Sequence, residues 1–156
     1  MQEFFCIGLA KGVYLGLPLG HIDKLIQLQS KDICLIPGIA DCWLGVVNYK
    51  SSLLWVLDLE NFLGVSDKQD KAKSQQNVLI LHYSNGNYQK KVALVIKSLE
   101  GVIQVAQHQT ESLFANNSPV LKNICDGLVR QEEKDIALVK TDLLLEQLSQ
   151  QSLLPV

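Results

Sequence analysis

The chain has 156 residues, 47% of them apolar and 19% charged, with a formal net charge of −2. A chain of this size buries roughly two thirds of the surface its unfolded form exposes, enough for one or two compact units. Fourteen basic residues against sixteen acidic ones leave no positive excess to neutralise phosphates, which argues against general nucleic-acid binding. The longest unbroken apolar runs, such as Leu53–Leu57 and Val92–Ile96, fall far below the roughly 20 residues of a membrane helix. Met1-Gln2-Glu3-Phe4 does not open a basic region followed by an apolar stretch, so no direct membrane insertion and a cytoplasmic location are expected.

Most apolar stretches are short, aliphatic or β-branched, and bounded by turn residues, the pattern of strands. Phe4–Leu9 is predicted as a strand, followed by a turn at Ala10-Lys11-Gly12 and a partner over Val13–Leu19, with Gly16 and Pro18 marking a bend or an edge. Val46-Val47 and Leu53–Leu57 form the next pair around a polar loop, Asn48–Ser52. Asp58 can cap a short helix carrying Leu59, Phe62 and Leu63, which Gly64 ends. Residues 66–77 mix Asp67, Lys68, Asp70, Lys71 and Lys73 and read as a solvated linker between two halves. The strongest hairpin signal follows: Val78–Tyr83 and Tyr88–Ile96 flank Ser84-Asn85-Gly86-Asn87, where Asn-Gly tolerates the positive φ of a tight turn. From Thr141 to Leu154 the spacing of Leu144, Leu145 and Leu148 predicts a C-terminal helix.

An internal repeat changes how the chain reads. Leu15–Leu28 aligns without gaps on Val92–Val105: Leu17 matches Leu94, Ile26 matches Ile103 and Gln27 matches Gln104, while Ile22/Leu99, Asp23/Glu100 and Leu25/Val102 keep their chemical type. Gly45-Val46-Val47 recurs as Gly127-Leu128-Val129, and Asp58-Leu59 recurs as Asp142-Leu143. Two similar small barrels are the expected architecture, because closure removes the sheet edges each copy would expose. Ile22, Leu25, Leu99 and Val102 fall in the two copies of a short acidic amphipathic turn, whose mixture of apolar and charged residues suits the lip of a groove.

Catalytic patterns are lacking. His21, His82 and His108 form no H-x-x-x-H or H-E-x-x-H pattern, and there is no glycine-rich phosphate loop, so neither a metal nor a cofactor is expected. Cys6, Cys34, Cys42 and Cys125 are scattered without a C-x-x-C pair and are expected to be buried free thiols, with Cys34 dulled by the apolar run Ile33-Cys34-Leu35-Ile36. Asp58 and Asp142, equivalent in the repeat, are read as helix caps.

The ordered series Pro37-Gly38, Leu44-Gly45-Val46-Val47-Asn48-Tyr49-Lys50, Leu54-Trp55-Val56-Leu57-Asp58-Leu59 and Leu63-Gly64 resembles CheW-domain proteins, the adaptors of bacterial chemotaxis-type signalling arrays. It parallels that family's proline, glycine-valine, Asn-x-Arg-Gly and Val-x-Asp-Leu series, and the likeness continues over Val92–Val105 and Gly127–Leu148. Cys42 and Leu54-Trp55-Val56 are most similar to variants serving type IV pilus motility and phototaxis in cyanobacteria.

The resemblance implies a mostly β fold: two linked five-stranded SH3-like barrels with short helices and a C-terminal helix, in one domain over 1–156. It implies no enzyme but a scaffold coupling the cytoplasmic tip of a methyl-accepting receptor to the regulatory domain of a CheA-type histidine kinase. Phe5, Ile22, Leu25, Leu99 and Val102 would line the receptor groove, and Val47, Asn48 and Lys50 would meet the kinase. The chain departs from the family in carrying Lys50 for the arginine, Ser51 for the glycine and Lys97 for an acidic residue, and loss of the glycine is expected to alter the loop. The rival readings are a stand-alone barrel binding a small ligand or peptide, and a thiol enzyme.

Overall fold

The computed structural model describes residues 1–66, 73–106 and 118–150. In chain order the elements are β1 (Gln2–Gly8), β2 (Tyr14–Pro18), β3 (Ile22–Gln29), β4 (Trp43–Tyr49), β5 (Ser52–Asp58), α1 (Leu59–Leu63), β6 (Gln75–Asn85), β7 (Tyr88–Ile96), β8 (Ser98–Val105), α2 (Pro119–Ile124), β9 (Cys125–Gln131), β10 (Lys134–Val139) and α3 (Thr141–Gln150). The strands form two five-stranded sheets, ordered β8-β1-β2-β10-β9 and β3-β6-β7-β5-β4. Within each, one pair is parallel, β2 with β10 and β5 with β7, and the others are antiparallel.

This topology bears out two five-stranded β units and corrects the way the repeat builds them. The repeat makes β2-β3-β4-β5 equivalent to β7-β8-β9-β10. Yet the first sheet combines β1 and β2 with β8, β9 and β10, and the second combines β6 and β7 with β3, β4 and β5. Each sheet therefore takes strands from both copies, and neither copy completes a sheet alone. Similarity between segments reports which of them adopt the same conformation; it is silent on which copy supplies the pairing partner.

Alternation along the strands explains the apolar runs. On β6, Val78 and Ile80 point into the core of the second sheet, and Leu79 and Leu81 point into a central cluster shared by both sheets. On β1, Phe4 and Cys6 fill the core of the first sheet while Ile7 joins the central cluster. A strand buried on both faces needs apolar residues at every position. The second sheet is closed where the chain beyond β3 returns to β4: Cys34 and Val46 exchange hydrogen bonds of 2.8 and 2.9 Å. Gly45, at φ 140°, permits this approach, because the Cys34 carbonyl lies where a Cβ would stand.

Several local expectations hold. Asp58 caps α1, its side chain accepting from the Asn61 amide at 3.2 Å, and Gly64 ends the helix at φ 73°. Asp142 does not repeat that role: α3 starts at Thr141, which puts Asp142 inside the first turn, where its charge complements the helix dipole. β6 starts at Gln75, so the end of the expected linker is strand. Residues 67–72, His108 and the end of the expected C-terminal helix beyond Gln150 lie outside the described residues. Helix α2 was not expected from sequence, although Ser118-Pro119 is a helix-start signal: the Ser118 hydroxyl accepts from the Leu121 amide at 3.4 Å.

The β4–β5 and β9–β10 hairpins turn on two residues each, Lys50-Ser51 (φ 49° and 65°) and Glu132-Glu133 (φ 48° and 64°). Positive φ at both positions is the turn whose twist matches a hairpin. Ser51 thus keeps the conformation a glycine would favour, which corrects the expectation of an altered loop. A non-glycine residue in this region costs roughly 1 kcal/mol. Ser51→Gly should therefore raise the unfolding free energy by about that amount, read from the denaturant midpoint at unchanged slope. Cleaving the chain once between Ser66 and Lys73 should leave two pieces that are unfolded when separated and regain β circular dichroism only when mixed.

Candidate functional site: an apolar face on two edge strands

The groove residues expected from sequence do not lie in turns. Ile22 and Leu25 are on β3, and Leu99 and Val102 on β8, and both are edge strands. In a regular strand, residues three apart face opposite ways. Here each strand carries a bulge: Asp23 is skipped between Ile22↔Leu81 and Lys24↔Ile80, and Glu100 between Leu99↔Ile7 and Gly101↔Cys6. The extra residue restores the face. Ile22 and Leu25 then stand opposite Leu81 and Leu79, and Leu99 and Val102 opposite Ile7 and Phe5. Leu79, Leu81 and Ile7 belong to the central cluster, so all these residues share the face turned to the layer between the sheets.

Burial grades along that face. Phe5 and Ile22 are half-buried and pack against the central cluster, whereas Leu25, Leu99 and Val102 are 42%, 44% and 52% exposed. Val102 and Phe5 are direct cross-strand partners, and Ile22 and Leu25 adjoin on β3; the two groups meet through the central cluster. The acidic bulge residues do not present free charge, because Asp23 pairs with Lys91 at 3.4 Å and Glu100 with Lys134 at 2.7 Å. Hydrogen bonds from Lys134 and then Ser98 hold the Glu100 carboxyl below its ordinary range.

The three residues expected at a kinase contact separate. Val47 is buried inside the core of the second sheet, where its side chain supports the hairpin and leaves no surface for a partner. Asn48 and Lys50 are exposed, the Lys50 ammonium lying 5.3 Å from the centroid of the Tyr49 ring. The residue missed is Leu53, 73% exposed and directly opposite Asn48. Its signal lies in the repeat: the equivalent pair in the other hairpin, Arg130 and Asp135, is an ion pair at 3.5 Å. One hairpin thus carries a solvated charge pair, and the other an exposed leucine beside an amide and a free-standing turn.

The cysteines are unpaired, as expected, and three are buried, but Cys34 is exposed. The apolar run around it does not enclose it, because its backbone pairs with Val46 at the margin of the second sheet. Burial pushes the Cys6 thiol up to about 11 and the Cys125 thiol to about 12, and raises Cys42 as well. Iodoacetamide at pH 8 should therefore label Cys34 alone in the native protein and all four thiols in denaturant, read by intact mass. Among the described residues no His, Cys, Asp or Glu group could hold a metal ion, and no helix is long and apolar enough to cross a membrane.

Two exchanged five-stranded sheets with apolar residues on bulged edge strands define a recognisable architecture. The CheW-like domain family matches residues 3–149, and this chain belongs to that family. Among solved structures, the fold is similar to the crystal structure of the scaffolding protein TtCheW from Thermoanaerobacter tengcongensis, with a TM-score of 0.69 and 18% identity over 89% of this chain and 88% of that one. No curated protein sequence matches the chain.

Proposed function

We propose that this chain is a non-catalytic cytoplasmic adaptor that couples the tip of a methyl-accepting receptor to the regulatory domain of a CheA-type histidine kinase, in a motility or phototaxis pathway. It acts as a single domain over 1–156. The observation that carries the reading is the pair of bulges, which brings Leu25, Leu99 and Val102 onto the same face as Phe5 and Ile22, part-exposed at the edge of the central cluster. Leucine and valine left about half-exposed on edge strands keep apolar surface in water that a partner would cover. Such a face suits the apolar stripe of a receptor helix laid across it. The kinase contact is assigned to Asn48, Lys50 and Leu53, with Val47 behind them.

Leu25→Glu and Val102→Glu should each weaken binding of a receptor helical-hairpin fragment by about tenfold or more, read by calorimetry, with thermal unfolding close to wild type because both side chains are exposed. Unchanged affinity in both would remove the groove reading. Ile22→Glu differs, since Ile22 packs on the central cluster, and it should lower stability as well as binding.

Lys50→Glu and Leu53→Asp should weaken binding to the kinase regulatory domain and leave receptor affinity at the wild-type value. Leu53→Asp places on the β4–β5 hairpin the residue type that the β9–β10 hairpin carries at Asp135, so no loss of fold is expected. A protein that binds neither partner in a pull-down, yet retains a small ligand or peptide on purification, would favour the stand-alone binding barrel instead.

A further inference from the structure

The Glu100 side chain does more than neutralise a bulge. Its carboxylate accepts hydrogen bonds from Ser98 Oγ at 2.8 Å and Lys134 Nζ at 2.7 Å, and the same ammonium lies 5.0 Å from the centroid of the Tyr14 ring. Lys134 opens β10, and β8 and β10 are not neighbours; β1 and β2 lie between them. The bond therefore spans the first sheet at one end. Gly8 on β1 leaves room for it: a Cβ there would collide with Ser98 Oγ and come within 3.6 Å of the Glu100 carboxylate. Compared with Lys91–Asp23 and Arg130–Asp135, at 3.4 and 3.5 Å, this pair is shorter and more shielded, with side-chain exposures of 34% and 22%. A second tie to β8 runs from Gln131 Nε2 to the Gln104 carbonyl at 3.3 Å.

Among the described residues β8 is laddered to β1 alone, so these two ties connect it further to residues flanking the Glu132-Glu133 turn. A bulged edge strand with one partner has few constraints on its twist, and the direction of its side chains follows that twist. We propose that Glu100 and Lys134 are positioning residues for the groove: the pair holds the β8 bulge, sets the direction of Leu99 and Val102, and joins the groove strand to the β9–β10 hairpin. The proposal rests on the groove reading above. It gives the acidic position of the second repeat a role distinct from partner contact, since its carboxylate is engaged within the chain.

Amide hydrogen exchange on the full chain reads the hold on β8 directly. In Lys134→Ala, the amides from Leu99 to Val105 should exchange roughly tenfold faster while those of β6 and β7 keep their wild-type rates. The charge swap Glu100→Lys with Lys134→Glu should restore protection, which a role in packing alone would not. A receptor helical-hairpin fragment should bind Lys134→Ala several-fold more weakly and the swapped protein close to normally. Wild-type exchange in β8 of Lys134→Ala, or equal acceleration through both sheets, overturns the proposal. If Val102→Glu abolishes binding while Lys134→Ala changes neither exchange nor affinity, the groove stands and the positioning role falls. If Leu25→Glu and Val102→Glu both leave binding intact, the groove reading itself fails and the proposal fails with it.

Discussion

The layer of side chains between the two sheets is the constraint on which the rest of the molecule depends. Ile7, Leu15, Leu17, Leu79, Leu81, Val92 and Leu94 fill it from β1, β2, β6 and β7, two strands from each half of the chain, and Leu59, Leu63, Leu144 and Leu148 add to it from α1 and α3. Burying one such aliphatic side chain contributes about 1.5–3 kcal/mol. Each of those strands also turns its other face to the core of its own sheet, so the described residues form three apolar clusters rather than two. Separating the sheets would expose the largest cluster, and separating the repeats would dismantle both sheets. Two units that are each small for independent folding are stabilised by sharing strands and a common interior.

That interior also determines where a surface for partners can arise. Away from their hairpin ends the inner strands of each sheet have little exposed face to offer. Edge strands have more, and on β3 and β8 a single extra residue decides which side chains point toward the shared layer and which away. The two bulges sit at equivalent places in the repeat, and each extra residue is acidic and neutralised by a lysine. Charge is thus kept off the apolar face while the backbone irregularity that creates the face is tied down. The hairpins show the opposite use of the repeat: identical turn geometry, with Lys50-Ser51 in one and Glu132-Glu133 in the other, so equivalent ends of the two sheets present different chemistry.

Much of the fold was legible from residues acting locally. The short apolar runs Val78–Tyr83 and Tyr88–Ile96, Gly86 in the turn between them, and Asp58 with Gly64 around a short helix each specify their structure through nearest neighbours, although Asn85 itself ends the strand and the turn falls on Gly86-Asn87. Leu25, Leu99 and Val102 read from sequence as lying in turns and stand part-exposed on strands instead, because their spacing of three contradicts a regular strand and only pairing with β6 and β1 reveals the bulge. Cys34 and Val47 were misplaced for a similar reason. An apolar sequence context does not say whether a side chain at the margin of a sheet points in or out. Leu53 escaped notice because an exposed leucine in an apolar run looks like any other core leucine.

Amino-acid sequence by itself determined the strand content, the repeat, the capped helix and the family, since these follow from periodicity, turn chemistry and the order of short motifs. Tertiary structure alone decided that the repeats exchange strands, that bulges at Asp23 and Glu100 redirect the groove residues, and that Glu100 reaches Lys134 across two intervening strands. Those features depend on partners distant in the chain, and pairing between distant segments leaves no local periodicity from which it could be read.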